Sequence, residues 1–462
     1  MIEIFSFIIL IIISICCTLD FKRTVIVWLP TQMLFNAQIA VRYTSPAMSL
    51  TMAVDLLLLC FYVYKRFTLE KKMYNGAYIF LAPMIGFVVS YLLSSTFGVI
   101  QSLNGYTTMV KHLVCGFGIV FLAHKVLYKK KDIDLLIKVS TVICFLMTIL
   151  ALSESILRDN LWLDLIYFNS PHDETTEGRM YYIPPILGTE IETRYGMVRA
   201  RSFFGIHIAF GVACLCYFWL MALAGKLKWK ATPKILHSLV LALLIAGIFM
   251  ANAKTGYIGL LIITLGLIPV NKLFNIKSIL PLILITIVIL CWFPQYLNNF
   301  YSLFDSKIAD EGGGSTVASR KLQFEAAMNM FEMNPILGNG PGSIGIMKRF
   351  GNNSNILGAE SVWMQILPER GILGFLVYLF MYAWMFIQLK KILPPKILIS
   401  FLSGMFIMET STGMLDMAVW GVVLVAVKRM FQLKKLRKKY LYRIKLSNKN
   451  GQSKSISSSP SL

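Results

Sequence analysis

The chain has 462 residues, of which 56% are hydrophobic and only 15% charged, whereas a soluble domain carries about a quarter charged residues. Apolar runs near the roughly 20 residues that cross a bilayer core exclude a string of soluble domains and make lipid the solvent. The formal net charge of +22 would suggest nucleic acid in a soluble protein, but the basic residues sit in short links between apolar runs, the positive-inside pattern, so nucleic-acid binding is excluded.

The expected fold class is all-α, a polytopic transmembrane helix bundle of about 12–14 spans, because backbone amides cannot go unpaired in lipid. Residues 1–153 hold the N-terminal transmembrane helices, with spans near 2–18, 24–41, 48–64, 77–97, 106–127 and 133–153. The start, Met1-Ile2-Glu3, has no basic region or cleavage site, so the first span is expected to stay as an anchor. Residues 154–201 form a first long outer loop. Residues 202–293 hold central spans near 202–223, 235–251, 256–270 and 279–293. Residues 294–371 form a second long outer loop with an amphipathic helix. Residues 372–428 hold spans near 372–389, 397–408 and 414–427, the last two short enough to be one broken hairpin. Residues 429–462 are a basic cytoplasmic tail, expected to be disordered after Lys445.

Lysines mark alternate links: Lys22, Lys65, Lys129–Lys131, Lys226–Lys230, Lys272, Lys390 and the run from Lys428 to Lys445. They share one side if the N-terminus is outside and the C-terminus cytoplasmic, which puts both long loops outside. The outer loops use arginine instead: Arg158, Arg179, Arg194, Arg199, Arg201, Arg320, Arg349 and Arg370. Arginine's planar fork suits phosphate; the plainer reading is helix capping and pairing with nearby acids. All eight cysteines fall inside spans, so neither a disulfide nor a metal site is expected.

Four constellations could carry chemistry. Arg199 and Arg201, in the run up to His207, stand where the first loop re-enters the membrane; they could hold a diphosphate or simply snorkel to lipid phosphates. Lys254, in the tight turn Ala251–Gly256, would lie at the same surface, as a ligand or an interfacial anchor. After Gly312–Gly314, a helix with Ser315 or Ser319 as N-cap would place Arg320, Phe324, Ala327 and Phe331 on one apolar face. There Arg320 needs a buried partner or an anionic ligand. The helix ends at Asn334-Pro335, and Pro335, Gly338, Gly340 and Gly342 would let backbone approach a sugar or phosphate closely, unless they form an ordinary re-entry turn. Glu360 opens an apolar helix that runs through Glu369-Arg370-Gly371; it either favours the helix dipole or acts as general base toward a sugar hydroxyl.

In this order the constellations resemble the O-antigen polymerase and O-antigen ligase family, most clearly in Arg320 to Gly342 and Glu360 to Gly374. The resemblance spans roughly Arg199 to Met381 and implies a metal-independent, cofactor-free membrane glycosyltransferase of lipopolysaccharide or other surface polysaccharide biosynthesis. It implies a bacterial cytoplasmic (inner) membrane location with the site on the outer face. Its substrates would be undecaprenyl-diphosphate-linked glycans, and its pathway partners a chain-length regulator and a flippase. In that family Arg199, Arg201, Arg320 and Lys254 would bind the diphosphate, with Glu360 and Arg320 catalytic. Ligases of the family carry a histidine before the helix where this chain has Glu360-Ser361, which favours the polymerase branch. The alternatives are a ligase passing glycan to lipid A core or protein, and a flippase or transporter, for which Asp55, Lys111 and His112 are the mid-membrane polar residues.

Overall fold

A computed structural model describes residues 2–35, 39–42, 48–68, 76–100, 103–168, 175–176, 179–180, 193–268, 298, 301, 305, 307–308, 317–345, 361–412 and 417–449. The protein is a helix bundle, and five of the described helical stretches are long and apolar enough to cross a membrane. The expected span at 279–293, Glu360, Gly312–Gly314 and Ser315 lie outside the described residues.

Helix α1 (Ile2–Thr31) breaks at Asp20, whose backbone is extended. Its halves fold back on each other: Ser6, near the start, donates to the carbonyl of Ala40 at 3.0 Å, in strand β1 (Ala40–Arg42), which pairs with β2 (Met48–Ser49). The two spans expected there are thus a hairpin. Next come α2 (Leu50–Thr68), α3 (Leu81–Phe97) and α4 (Leu103–Lys111), then a π-helical stretch at His112–Gly118 and α5 (Ile119–Val126). Helix α6 (Lys130–Leu157) closes the N-terminal group and α7 (Leu161–Phe168) caps its far end. The first long loop contributes the short hairpins β3–β4 (Thr175–Thr176, Arg179–Met180) and β5–β6 (Thr193–Arg194, Met197–Val198).

Helices α8 (His207–Lys226), α9 (Lys234–Met250) and α10 (Lys254–Leu267) follow. Helix α8 is enclosed on nearly all sides, as a helix apolar all round must be. The second loop folds into α11 (Val317–Met333), and the chain ends with α12 (Val362–Leu389), α13 (Pro395–Thr412) and α14 (Met417–Lys449). Two expectations are corrected by the structure. Helix α14 continues past Lys445, where disorder is expected, to Lys449, because its basic second half holds neither Pro nor Gly to stop it. Ser319 does not cap α11, since it lies inside the helix.

The two ends of the bundle differ. At one pole Lys22 pairs with Asp132 at 2.7 Å, Trp229 donates to Asp134 at 2.7 Å, Lys226 reaches the carbonyl of Leu267 and Lys396 that of Ile268. The lysine links therefore do gather at one end. Helix α6 runs from this pole to Glu154, about 36 Å away at 1.5 Å per residue. Around Glu154 lie the ends of the long loops. Between the poles, Asp55 accepts from Trp28 at 2.8 Å, while His112 packs against Phe87 and Tyr91.

Candidate functional site

The two glycine-containing motifs interlock at the loop pole. Asn339 donates its amide to the carbonyl of Pro368 at 2.8 Å, Gly340 to that of Glu369 at 3.0 Å, and Ile372 to that of Pro335 at 2.9 Å. The end of α3 completes the knot: Ile100 donates to Asn339 at 2.8 Å, and Ser94 Oγ to the carbonyl of Glu369 at 2.5 Å. The Glu369 side chain accepts the amide of Gly342 at 2.9 Å. Asn339, fully enclosed, donates its side-chain amide to Met330 at 2.6 Å and to Pro368 at 3.1 Å.

Glycine is required at Gly338 and Gly340 for two reasons together. Both have positive φ, +75° and +106°, where a Cβ is strained. A Cβ would also collide with the backbone of Glu369 and Arg370 in one case and the carbonyl of Ile100 in the other. The close backbone approach expected of Pro335, Gly338, Gly340 and Gly342 is therefore to the protein's own chain. The loop is the frame that fixes α11 against α12, whose first turn begins at Val362 with Ser361 as N-cap.

Arg199, Arg201 and Lys254 form a second group. The amide of Ala200 donates to the carbonyl of Met250 at 2.9 Å, which ties the arginine pair to the α9–α10 turn that starts α10 at Lys254. Arg199 is buried and its guanidinium contacts His207. Arg201 is buried and its Nε lies 3.7 Å from Glu154, whose other oxygen accepts the amides of Arg201 and Ser202, both at 2.8 Å. Glu154 thus organises the re-entry point, with Asn160 donating to the carbonyl of Ser202 at 2.9 Å. Beyond it, burial and the neighbouring Asp159 raise the Asp164 carboxyl to about 6.

Arg320 is half-buried on α11. The enclosed face of that helix is Gln323, Ala326, Ala327 and Met330, and Phe324 is 47% exposed. The expected stripe through Phe324 is therefore rotated. The buried face meets Ile344 and the loop frame, and small alanines there let α11 close on α12. Arg320 flanks this face, one turn before Gln323.

Glu369, Tyr378 and Glu409, to which the sequence assigned no role, stand out in the structure. Glu369 and Arg370 are central to the frame, with Arg370 Cζ 4.6 Å from the ring centre of Tyr91 and 5.6 Å from that of Phe87, within cation–π range. Arg370, His112, Tyr378 and Glu409 line a cavity of about 30 Å³. Glu409 accepts from the hydroxyls of Tyr378 and Tyr382, the latter at 2.8 Å. An acid at the end of an apolar span is the signal that could have revealed Glu409; Glu154 carried the same signal. Among the described residues no cluster of three or more metal-ligating side chains occurs.

A family model described as O-antigen ligase matches residues 239–379. This stretch contains Lys254, Arg320, the glycine frame and the first half of α12. No curated protein matches the chain.

Proposed function

We propose that this chain, whose residues 239–379 match the O-antigen ligase family model, is a membrane protein of the O-antigen ligase/polymerase family that polymerises undecaprenyl-diphosphate-linked repeat units into a surface polysaccharide. Assignment to the outer face of a bacterial inner membrane is part of the same proposal. It rests on the loop pole lying opposite the lysine pole.

The observation that carries the reading is the frame itself. It fixes the early turns of α12, at residues 368–372, against the loop that follows α11 through backbone hydrogen bonds from Asn339, Gly340 and Ile372; Glu360 stands two residues before α12 in sequence and Arg320 lies near the start of α11. Catalysis of this kind needs groups held rigidly where charge develops. In the proposed reaction a sugar hydroxyl of one lipid-linked unit attacks the anomeric carbon of a second chain. Glu360 takes the hydroxyl proton. The new glycosidic C–O bond forms as the bond to the diphosphate breaks, and undecaprenyl diphosphate leaves. Arg199, Arg201, Arg320 and Lys254 offset the charge on the leaving diphosphate. Arg201 does so from within its pairing with Glu154, so its contribution is the most strongly shared with structure. The polymerase assignment over the ligase rests on Glu360-Ser361 standing where ligases of the family carry histidine.

The polysaccharide of a deletion strain tests the reading. Caps of a single repeat indicate a polymerase. Full-length polymer left on the lipid carrier indicates a ligase, and lipid-linked units trapped on the cytoplasmic side indicate a flippase.

A further inference from the structure

An arginine that holds a diphosphate must present its fork in one direction, and its long side chain has many rotamers to lose before it can do so. Arg199 follows strand β6, and His207 opens helix α8. The residues between them turn the chain back into the bundle. Phe204 donates to the carbonyl of Arg201 at 2.9 Å, and the Ser202 hydroxyl fastens the turn to the carbonyl of Met147 at 2.7 Å. The turn brings the Arg199 guanidinium onto the His207 ring, Nη2 against Nε2. Both side chains are enclosed, Arg199 being 8% exposed and His207 6%.

The chemistry of this contact has one solution. A guanidinium has donors and no acceptor. The Nε2 of His207 therefore accepts, and the ring is the neutral tautomer with its proton on Nδ1. A charged donor facing a neutral acceptor makes a charge-assisted hydrogen bond, stronger than one between two neutral groups. His207 thus adds no charge to the group of Arg199, Arg201 and Lys254. It acts on the direction of a charge already there.

The ring is in turn fixed by the fold. One turn further along α8, Phe210 is fully enclosed and lies 6.2 Å from Phe204, ring centre to ring centre. Next to it, Gly211 seats α8 on the α9–α10 turn, so closely that a Cβ there would come within 3.2 Å of that of Ala251. Arg199 is held from the other side. The amide of Ala200 donates to Met250 of the same turn at 2.9 Å. The β5–β6 hairpin before it is tied to the second loop, where the Tyr195 hydroxyl donates to the carbonyl of Ile308 at 3.0 Å. Main chain and side chain of Arg199 are therefore fixed by separate elements, and His207 is the link on the side-chain end.

We propose that His207 is a positioning residue for Arg199: its Nε2 takes one N–H of the guanidinium and sets the direction in which the fork meets the diphosphate of the lipid-linked donor. The proposal rests on the reading of Arg199 as a diphosphate ligand. It does not depend on whether the glycan passes to a growing chain or to another acceptor, since undecaprenyl diphosphate leaves in both cases.

The test is thermal unfolding of the full-length protein in neutral detergent with added undecaprenyl diphosphate, compared with undecaprenyl alcohol, which has the same chain and no diphosphate. The diphosphate should raise the melting temperature of the parent and the alcohol should not. Arg199→Ala should remove at least half of the rise, and the remainder reports the other cations. His207→Phe keeps an aromatic ring without an acceptor and should also remove at least half. His207→Gln returns an acceptor oxygen and should keep most of the rise. His207→Ala serves for the same comparison if His207→Phe does not fold. Arg199→Ala combined with His207→Phe should lose no more than Arg199→Ala alone, because a residue that acts only through its partner adds nothing once the partner is gone. A merely structural His207 would lower the melting temperature without ligand and leave the rise in place. A full rise in His207→Phe, an equal loss in His207→Gln, or a further loss in the double variant would each overturn the proposal and leave Arg199 as a diphosphate ligand. No rise in the parent, or a full rise in Arg199→Ala, would overturn that reading of Arg199 and this proposal with it.

Discussion

The carboxylate of Glu369 accepts the backbone amide of Gly342 at 2.9 Å. That bond closes a frame in which two segments about 30 residues apart are joined mainly backbone to backbone. Removing the acceptor strands a half-buried amide, which costs up to about 1–3 kcal/mol. Glu369→Ala should therefore lower the melting temperature of detergent-solubilised protein, while Glu369→Gln, which keeps an acceptor oxygen, should lose clearly less. Equal losses would show that the side-chain bond does not support the frame.

Gly340→Ala should be worse. The φ of +106° alone strains a non-glycine residue by about 1–3 kcal/mol, and the added methyl meets the carbonyl of Ile100. Reduced protein yield and a lowered melting temperature are expected. A variant as stable as the parent would mean that the loop does not pass this close to α3.

The frame also shows what was legible in the sequence. Helices were readable because lipid leaves the backbone no other choice, and the gathering of the lysines followed from charge alone. Which partner a glycine loop approaches was not readable: the motif left open a ligand-binding loop or an ordinary re-entry turn, and Gly338 and Gly340 approach Glu369, Arg370 and Ile100. Ile100 is more than 230 residues distant in sequence, so no local pattern could reveal it. The rotation of the α11 stripe was hidden for a related reason. Ala326 is inward because Ile344, from the loop that follows, packs there, whereas hydrophobicity favoured Phe324. The Arg201–Glu154 pair was invisible because 47 residues separate its members.

That pair gives a third prediction. Breaking a buried ion pair on one side costs about 3–5 kcal/mol, so Arg201→Ala should lower stability strongly. Polymer should fall by more than the loss of folded protein accounts for, because Arg201 also offsets charge on the leaving diphosphate. Arg320→Ala and Arg320→Lys should instead leave folding intact and cut polymer per folded protein by about 100- to 1,000-fold, the usual loss for a donor to developing charge. Lysine fails because it lacks the fork. Long chains at normal yield from Arg320→Ala would remove that residue from the site.

Acidity should act through Asp164. Its carboxyl is raised from 3.8 to about 6, by burial first and then by Asp159. The folded state therefore holds this proton more tightly than the unfolded chain does. The resulting stabilisation is complete below about pH 4 and is lost as pH rises through 6. Melting curves from pH 4 to 8 should show this decline in the parent and less of it in Asp164→Asn. Superimposable profiles would assign the carboxyl an ordinary acidity.

Sidedness can be read at the two ends of α6. Arg158 and Lys130 are both exposed and about 40 Å apart along the helix. In a cysteine-free background, Arg158→Cys should react with an impermeant reagent on intact spheroplasts and Lys130→Cys only after permeabilisation. The reverse pattern would invert the protein and move the frame to the cytoplasm.

The central claim is polymerisation, and the most direct measurement is reconstitution. Purified protein in liposomes, supplied only with undecaprenyl-diphosphate-linked repeat units, should yield a ladder of longer chains that remain on the lipid diphosphate, and Glu360→Gln should abolish it. If single units persist unchanged until a lipid A core or protein acceptor is added, and are then transferred to it, the protein is a ligase and polymerisation is not its reaction.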